Sequence, residues 1–195
     1  MTRASCLDVD PKKVAPAIFD GAFQNTGQVC LALKRLYVHE SVYGRMCDEL
    51  AELANAAIVD DGLKQGTKLG PLQNKMQYEK VKGYLDDARA NGTIVAGGDA
   101  PDRPGYFIRP TIVRDIAEGT RLVDEEQFGP ILPADQVLGS GRRASPRQRH
   151  ALWARRIGLV LRQGGRLRPG YANGGGHGLD QQAPRHSPLC ALRRG

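Results

Sequence analysis

Cys30 closes the run Phe23-Gln24-Asn25-Thr26-Gly27-Gln28-Val29, so a thiol follows directly on a glycine-containing turn. Turns often present nucleophiles, because exposed backbone N–H groups there can stabilise a developing oxyanion. A free thiol has a pKa of about 8.5, so nucleophilic use needs neighbours that favour the thiolate. The competing reading of Cys30 is a small buried hydrophobe, and composition alone favours it. Cys6, Cys47 and Cys190 make no CxxC pair with it or with one another. Together with His39, His150, His177 and His186 they form no zinc spacing. We expect reduced thiols, no metal site, a packing role for Cys47 and no functional context for Cys6.

The elements around Cys30 can be read from local patterns. Asp10-Pro11 is a helix start, with an acidic N-cap and proline at the first helical position. Val14, Ile18 and Ala22 follow at helical spacing, flanked by Ala17 and Gly21, and Asn25-Thr26-Gly27 ends the helix. Residues 35–39 alternate like a strand. Ser41 is a cap for a second helix with Val42, Met46, Leu50, Leu53 and Ala57 on one face. A third helix runs from about Asn74, carries Tyr78, Val81, Leu85 and Ala88, and stops at Asn91-Gly92. Residues 93–96 and 106–113 read as strands, the second interrupted at Pro110, with a turn at Asp102-Arg103-Pro104-Gly105 between them. Alternation of helix and strand predicts an α/β fold.

The wider pattern narrows the chemistry. The run from Phe23 to Cys30 resembles the F-x-N-x-G-Q-x-C signature of aldehyde dehydrogenases. Five further stretches resemble the same family in the same order: Lys34-Arg35-Leu36-Tyr37-Val38, Leu69-Gly70-Pro71-Leu72, Tyr78-Glu79-Lys80-Val81, Gly105-Tyr106-Phe107-Ile108-Arg109-Pro110-Thr111 and Glu125-Glu126-Gln127-Phe128-Gly129-Pro130. Each alone is weak, whereas six collinear ones over residues 7–133 are specific.

The resemblance implies a partial catalytic domain of Rossmann-like, three-layer α/β type. It implies that Cys30 is the nucleophile, attacking an aldehyde to form a thiohemiacetal, which passes hydride to NAD or NADP and leaves a thioester that water hydrolyses. The Cys30 N–H would be half of the oxyanion hole. Glu126 would accept hydrogen bonds from the ribose next to the nicotinamide, and the Phe128 ring would pack against the nicotinamide. Gln77 and Lys80 would lie near that ribose. Without the cysteine motif, Glu126 and Phe128 read as a surface acid and a core aromatic. The general-base glutamate of an E-L-G-G segment, the oxyanion-hole asparagine and the cofactor domain all precede the cysteine motif in the family. Residues 1–29 contain none of them, nor any GxGxxG loop. The expectation is therefore an inactive fragment. The family forms homo-oligomers, but its oligomerisation segment is not recognisable here.

Charge divides the chain in two. Residues 1–134 hold 16 basic and 19 acidic side chains, whereas 135–195 hold 12 basic and two acidic ones, all twelve being arginine. The net charge of +7 is carried by this second part, which also holds 11 of the 24 glycines. One reading is a nucleic-acid-binding tail, although only Trp153 and Tyr171 supply aromatic rings there and RGG repeats are missing. The reading we favour is a shifted frame. Residues 147–160, back-translated with permitted codons and read one base later, give A-N-A-T-H-Y-G-L-G-G-S-V-W, resembling the family's N-x-x-x-Y-G-L-x-x-x-V segment. Residues 176–183 likewise give G-T-A-W-I-N-K-H, resembling its G-T-x-W-x-N segment.

The expected organisation is thus an irregular start over 1–6, which a start codon in a shifted frame would account for, a partial domain over 7–134, and a disordered basic tail over 135–195. A nucleic-acid partner is not expected, and docking on an intact homologous subunit is the other non-catalytic alternative. No apolar run is long enough to span a bilayer and residues 1–10 lack a signal-peptide core, so the expected location is cytoplasmic.

Overall fold

A computed structural model describes residues 2–137, 158–162 and 168–170, with side chains described over 9–137. Its strands are β1 (Thr2–Asp8), β2 (Leu33–His39), β3 (Thr93–Ala96), β4 (Thr111–Arg114), β5 (Ile131–Val137), β6 (Gly158–Arg162) and β7 (Arg168–Gly170). Among the described residues they form one sheet in the order β3-β4-β5-β2-β1-β6-β7. The pairs from β4 through β6 are parallel, and β3 and β7 close the two ends antiparallel.

Among the described residues four α-helices cover the sheet: α1 (Pro11–Phe23), α2 (Glu40–Ala56), α3 (Lys75–Asn91) and the single turn α4 (Arg121–Asp124). Side chains that alternate along β4 and β5 separate the two faces. Ile112, Leu132 and Ala134 pack with α1 and α2, including Ile18, Phe19, Met46 and Leu50. Val113 and Ile131 pack on the opposite face with Val81, Tyr84 and Leu85 of α3 and Leu122 of α4. Helices on both faces of a largely parallel sheet make the three-layer α/β architecture expected from the sequence.

Helix boundaries follow the capping chemistry. The Asp10 carboxylate accepts from Lys12 N at 3.2 Å, and the Asn74 side chain accepts from Gln77 N at 2.8 Å. At the far end of α3, Gly92 N donates to Ala88 O. Other expectations shift. The buried face of α1 is Ala15, Ile18, Phe19, Ala22 and Phe23, leaving Ala17 and Gly21 exposed. His39, not Ser41, caps α2, its Nδ1 accepting from Ser41 N at 3.2 Å. The strand expected over 106–113 shortens to β4, because Pro110 has no N–H to donate and Arg109 N bonds back to Asp99 O.

The start of the chain also differs from expectation. Residues 2–6 of the start expected to be irregular belong to strand β1, paired parallel with β2 and β6. The pairing is supplied by distant strands. Within the segment expected to be of low order, residues 135–137 complete β5, while 158–162 and 168–170 are β6 and β7. The rest of 135–195, including the two back-translated segments apart from 158–160, lies outside the described residues.

Candidate active site

The turn before Cys30 is built from three successive left-handed residues: Asn25 at φ 50°, Thr26 at φ 58° and Gly27 at φ 72°. Asparagine and glycine adopt this conformation readily, but a β-branched threonine does so at a cost. Tertiary contacts hold it there. Thr26 Oγ1 donates to Gly70 O at 3.1 Å, and Gln28 Oε1 accepts from Gln73 N at 3.0 Å. The Leu69-Gly70-Pro71-Leu72 stretch therefore braces the cysteine turn from outside. Strain persists only where the surroundings over-determine it, and such strain concentrates at functional sites. Cys30 itself is exposed, at a turn closed by Ala32 N donating to Val29 O at 3.0 Å. The buried-hydrophobe reading of Cys30 is thereby excluded. That reading fits Cys47, which is buried on α2 with its thiol pushed up to about 11, chiefly by burial.

The second wall is the segment between α4 and β5. Glu126 is exposed and Phe128 half-buried, with Phe128 at φ 47°. Gln77 on α3 fixes this backbone: its Nε2 donates to Gln127 O at 2.8 Å and to Phe128 O at 3.0 Å. Gln77, implied by resemblance to lie near a ribose, is instead buried and spends its amide on holding the loop. Lys80 Nζ donates to Glu126 O at 3.4 Å. The Tyr84 hydroxyl donates to Glu125 at 2.8 Å, and this bond, with Arg121 behind it, holds the Glu125 carboxyl below the usual carboxylate range.

Removing the Gln77 amide should therefore loosen the loop. Gln77→Ala leaves the buried Gln127 carbonyl and the part-buried Phe128 carbonyl without their donor and should lower stability by about 1–3 kcal/mol. Gln77→Glu should cost more, because a carboxylate would face two carbonyl oxygens. Urea-induced unfolding of the three proteins measures both.

The two walls meet. A Cβ built on Gly27 would lie 2.3 Å from Gly129 O, so the cysteine turn and the Glu126–Phe128 segment touch backbone to backbone. Lys34, buried at the start of β2, bridges them, its Nζ donating to Gly27 O at 2.6 Å and to Gly129 O at 3.1 Å. All three sequence-derived site residues, Cys30, Glu126 and Phe128, thus lie on two loops joined where they enter the adjacent parallel strands β2 and β5. Sequence reasoning missed the roles of Lys34, Gln28 and Thr26. Only their places inside the family-like stretches marked them.

An exposed thiol on a strained turn, with an exposed carboxylate and a half-buried ring on the adjoining loop, offers a nucleophile and a surface for a flat, hydroxyl-bearing ligand. A nicotinamide with its ribose is a ligand of that kind. Among the described residues no group of His, Cys, Asp and Glu is arranged to hold a metal, and no helix is long and apolar enough to cross a membrane.

Comparison with known proteins agrees with the geometry. The chain is 42% identical over 127 residues to a mitochondrial aldehyde dehydrogenase of Leishmania tarentolae, a match covering 65% of this chain and 26% of that protein. It superposes on an aldehyde dehydrogenase of Bacillus cereus with a TM-score of 0.68 and 31% identity, covering 71% of this chain and 29% of the other. A 1-pyrroline-5-carboxylate dehydrogenase from Thermus, solved with bound NAD, gives a TM-score of 0.67 at 28% identity, covering 71% and 27%. The chain spans about a quarter of the length of the curated relatives it matches. The sequence model of the aldehyde dehydrogenase family matches residues 6–138, more than half of the chain and including both loops of the site. The chain belongs to the aldehyde dehydrogenase family.

Proposed function

We propose that residues 7–134 form the nucleophile side of a site that oxidises an aldehyde to a carboxylic acid with NAD or NADP as acceptor. The observation that carries this reading is the junction of the strained Cys30 turn with the Glu126–Phe128 loop. The Cys30 thiolate attacks the aldehyde carbon, and its backbone N–H donates to the resulting oxyanion. Glu126 would accept hydrogen bonds from ribose hydroxyls, and the Phe128 ring would help hold the nicotinamide. The nicotinamide, when bound, supplies the hydride acceptor. Oxidation leaves a thioester on Cys30, which water hydrolyses to the acid. The bound NAD of the Thermus relative supports this choice of cofactor class.

The 195 residues carry no E-L-G-G segment, so the chain alone is proposed to lack the base that activates water. The test is a chimera in which residues 7–134 replace the matching segment of the Leishmania tarentolae enzyme. We expect aldehyde-dependent NAD(P)H formation that falls about a thousandfold or more on Cys30→Ala. A folded, cofactor-binding chimera whose activity ignores Cys30→Ala would sink the reading. The frame shift proposed for 135–195 is tested by resequencing the encoding DNA. A base inserted near the Ala134 codon supports it. An uninterrupted frame that lacks the family segments leaves β6 pairing with β1 as the tail's role.

A further inference from the structure

Lys34 is 1% exposed, although it sits in a strand directly beside a site meant to meet solvent and ligand. A buried ammonium loses its hydration and must recover the loss in hydrogen bonds. Its direct partners are the carbonyls of Gly27 and Gly129. Gly27 ends the left-handed turn three residues before Cys30, and Gly129 directly follows Phe128. The negative charge of Glu126, from the same loop as Gly129, acts on the ammonium as well. A methionine or leucine would fill this volume at less desolvation cost. What the ammonium adds is several donors at one point, able to reach two chain segments at once.

We propose that Lys34 is a positioning residue: by donating to Gly27 O and Gly129 O together, it fixes the spacing between the Cys30 thiol and the Glu126–Phe128 loop. Its value for catalysis rests on the dehydrogenase reading above, while the bridge itself needs neither aldehyde nor cofactor. Without the two donors, Gly27 O loses its Lys34 partner, Gly129 O keeps only Ile131 N at 2.9 Å, and the hydrogen-bonded bridge between the two loops is gone. A shift of roughly 1 Å between reacting groups can cost on the order of a hundredfold in rate, so a residue that sets this spacing acts on the chemistry without touching it.

The test uses the full chain with Cys6→Ser and Cys190→Ser, which leaves Cys30 as the exposed thiol and Cys47 buried. Lys34→Met keeps the side-chain length and removes the donors. Two quantities are read: the rate at which Cys30 reacts with DTNB, and hydrogen exchange along the chain. We expect the Cys30 rate to change about tenfold or more. Increased exchange should be confined to residues 24–31 and 125–130, with α1, α2 and α3 unaltered. In Lys34→Ala, ethylammonium should restore the wild-type rate with saturation, whereas tetramethylammonium, which has no N–H, should not. If Lys34→Ala fails to fold, ethylammonium alone should recover its folding.

An unchanged Cys30 rate in folded Lys34→Met overturns the proposal. So does exchange raised evenly over all three helices, or two cations that act alike. An inactive chimera would count against the dehydrogenase reading and leave these outcomes untouched.

Discussion

Gly27→Ala is expected to lower the stability of the chain by about 3 kcal/mol or more, a fall in Tm of about 10 °C. Two costs combine. At φ 72° an alanine Cβ is strained by roughly 1–2 kcal/mol in any surroundings. The same Cβ would lie 2.3 Å from Gly129 O and 2.7 Å from Gly129 C, and backbone atoms cannot rotate away as a side chain would. Relief requires the Cys30 turn to part from the Glu126–Phe128 loop, which also stretches both Lys34 hydrogen bonds. Gly44 on α2 is the control, with nothing within 4 Å of its added Cβ. Gly44→Ala should stabilise by about 0.5–1 kcal/mol through helix propensity. Thermal unfolding of the two variants decides the matter. A Gly27→Ala protein as stable as the parent would mean that the loops are not in contact, and the site as assembled here would fall with it.

That contact could not be foreseen, because nothing in the turn or in the Glu126–Phe128 segment encodes their distance. What was legible was local. Asn74 and Gly92 bound α3 because their chemistry satisfies its first N–H and last C=O groups without help from elsewhere. Asp10-Pro11 opens α1 for the same reason. Strands were harder. Residues 33–36 of β2 are all buried, because a parallel strand covered on both faces shows no polar alternation. In that strand Lys34 looks like a solvated lysine, and only the third dimension shows its ammonium between two carbonyls. Pro133 obscured β5, and β1 is defined by its pairing with distant β2 and β6. Cys30, Glu126 and Phe128 were identified from family-like stretches, whereas their assembly depends on Gln77, Gln28, Thr26 and Lys34, whose hydrogen bonds to distant backbone leave no mark on sequence spacing.

The burial of that ammonium should be visible in the pH dependence of stability. Burial lowers the Lys34 pKa from 10.5 to about 8 in the folded chain, the nearby Glu126 charge opposing the shift. Below pH 8 the amine is protonated both folded and unfolded, and pH has no purchase on it. Between pH 8 and 10.5 the unfolded chain binds the extra proton, so folding gains stability as pH rises. The wild type should therefore gain on Lys34→Met by up to roughly 3 kcal/mol across this window and by nothing above it. The difference between the two proteins must be taken, not the raw curve. Cys47, raised by burial from 9.0 to about 11, and Tyr43 and Tyr84, also raised by burial, lose stability as pH climbs and bend both curves downward. Urea midpoints at intervals from pH 7 to 10.5 supply the measurement. A difference that stays flat would mean that water reaches the amine and that the two carbonyls hold a solvated group. A rising difference has a consequence for the site. A neutral amine still carries two N–H donors, enough for Gly27 O and Gly129 O. Loss of the charge then relieves the desolvation without breaking the bridge, so alkaline pH should leave the spacing of Cys30 from the Glu126–Phe128 loop intact.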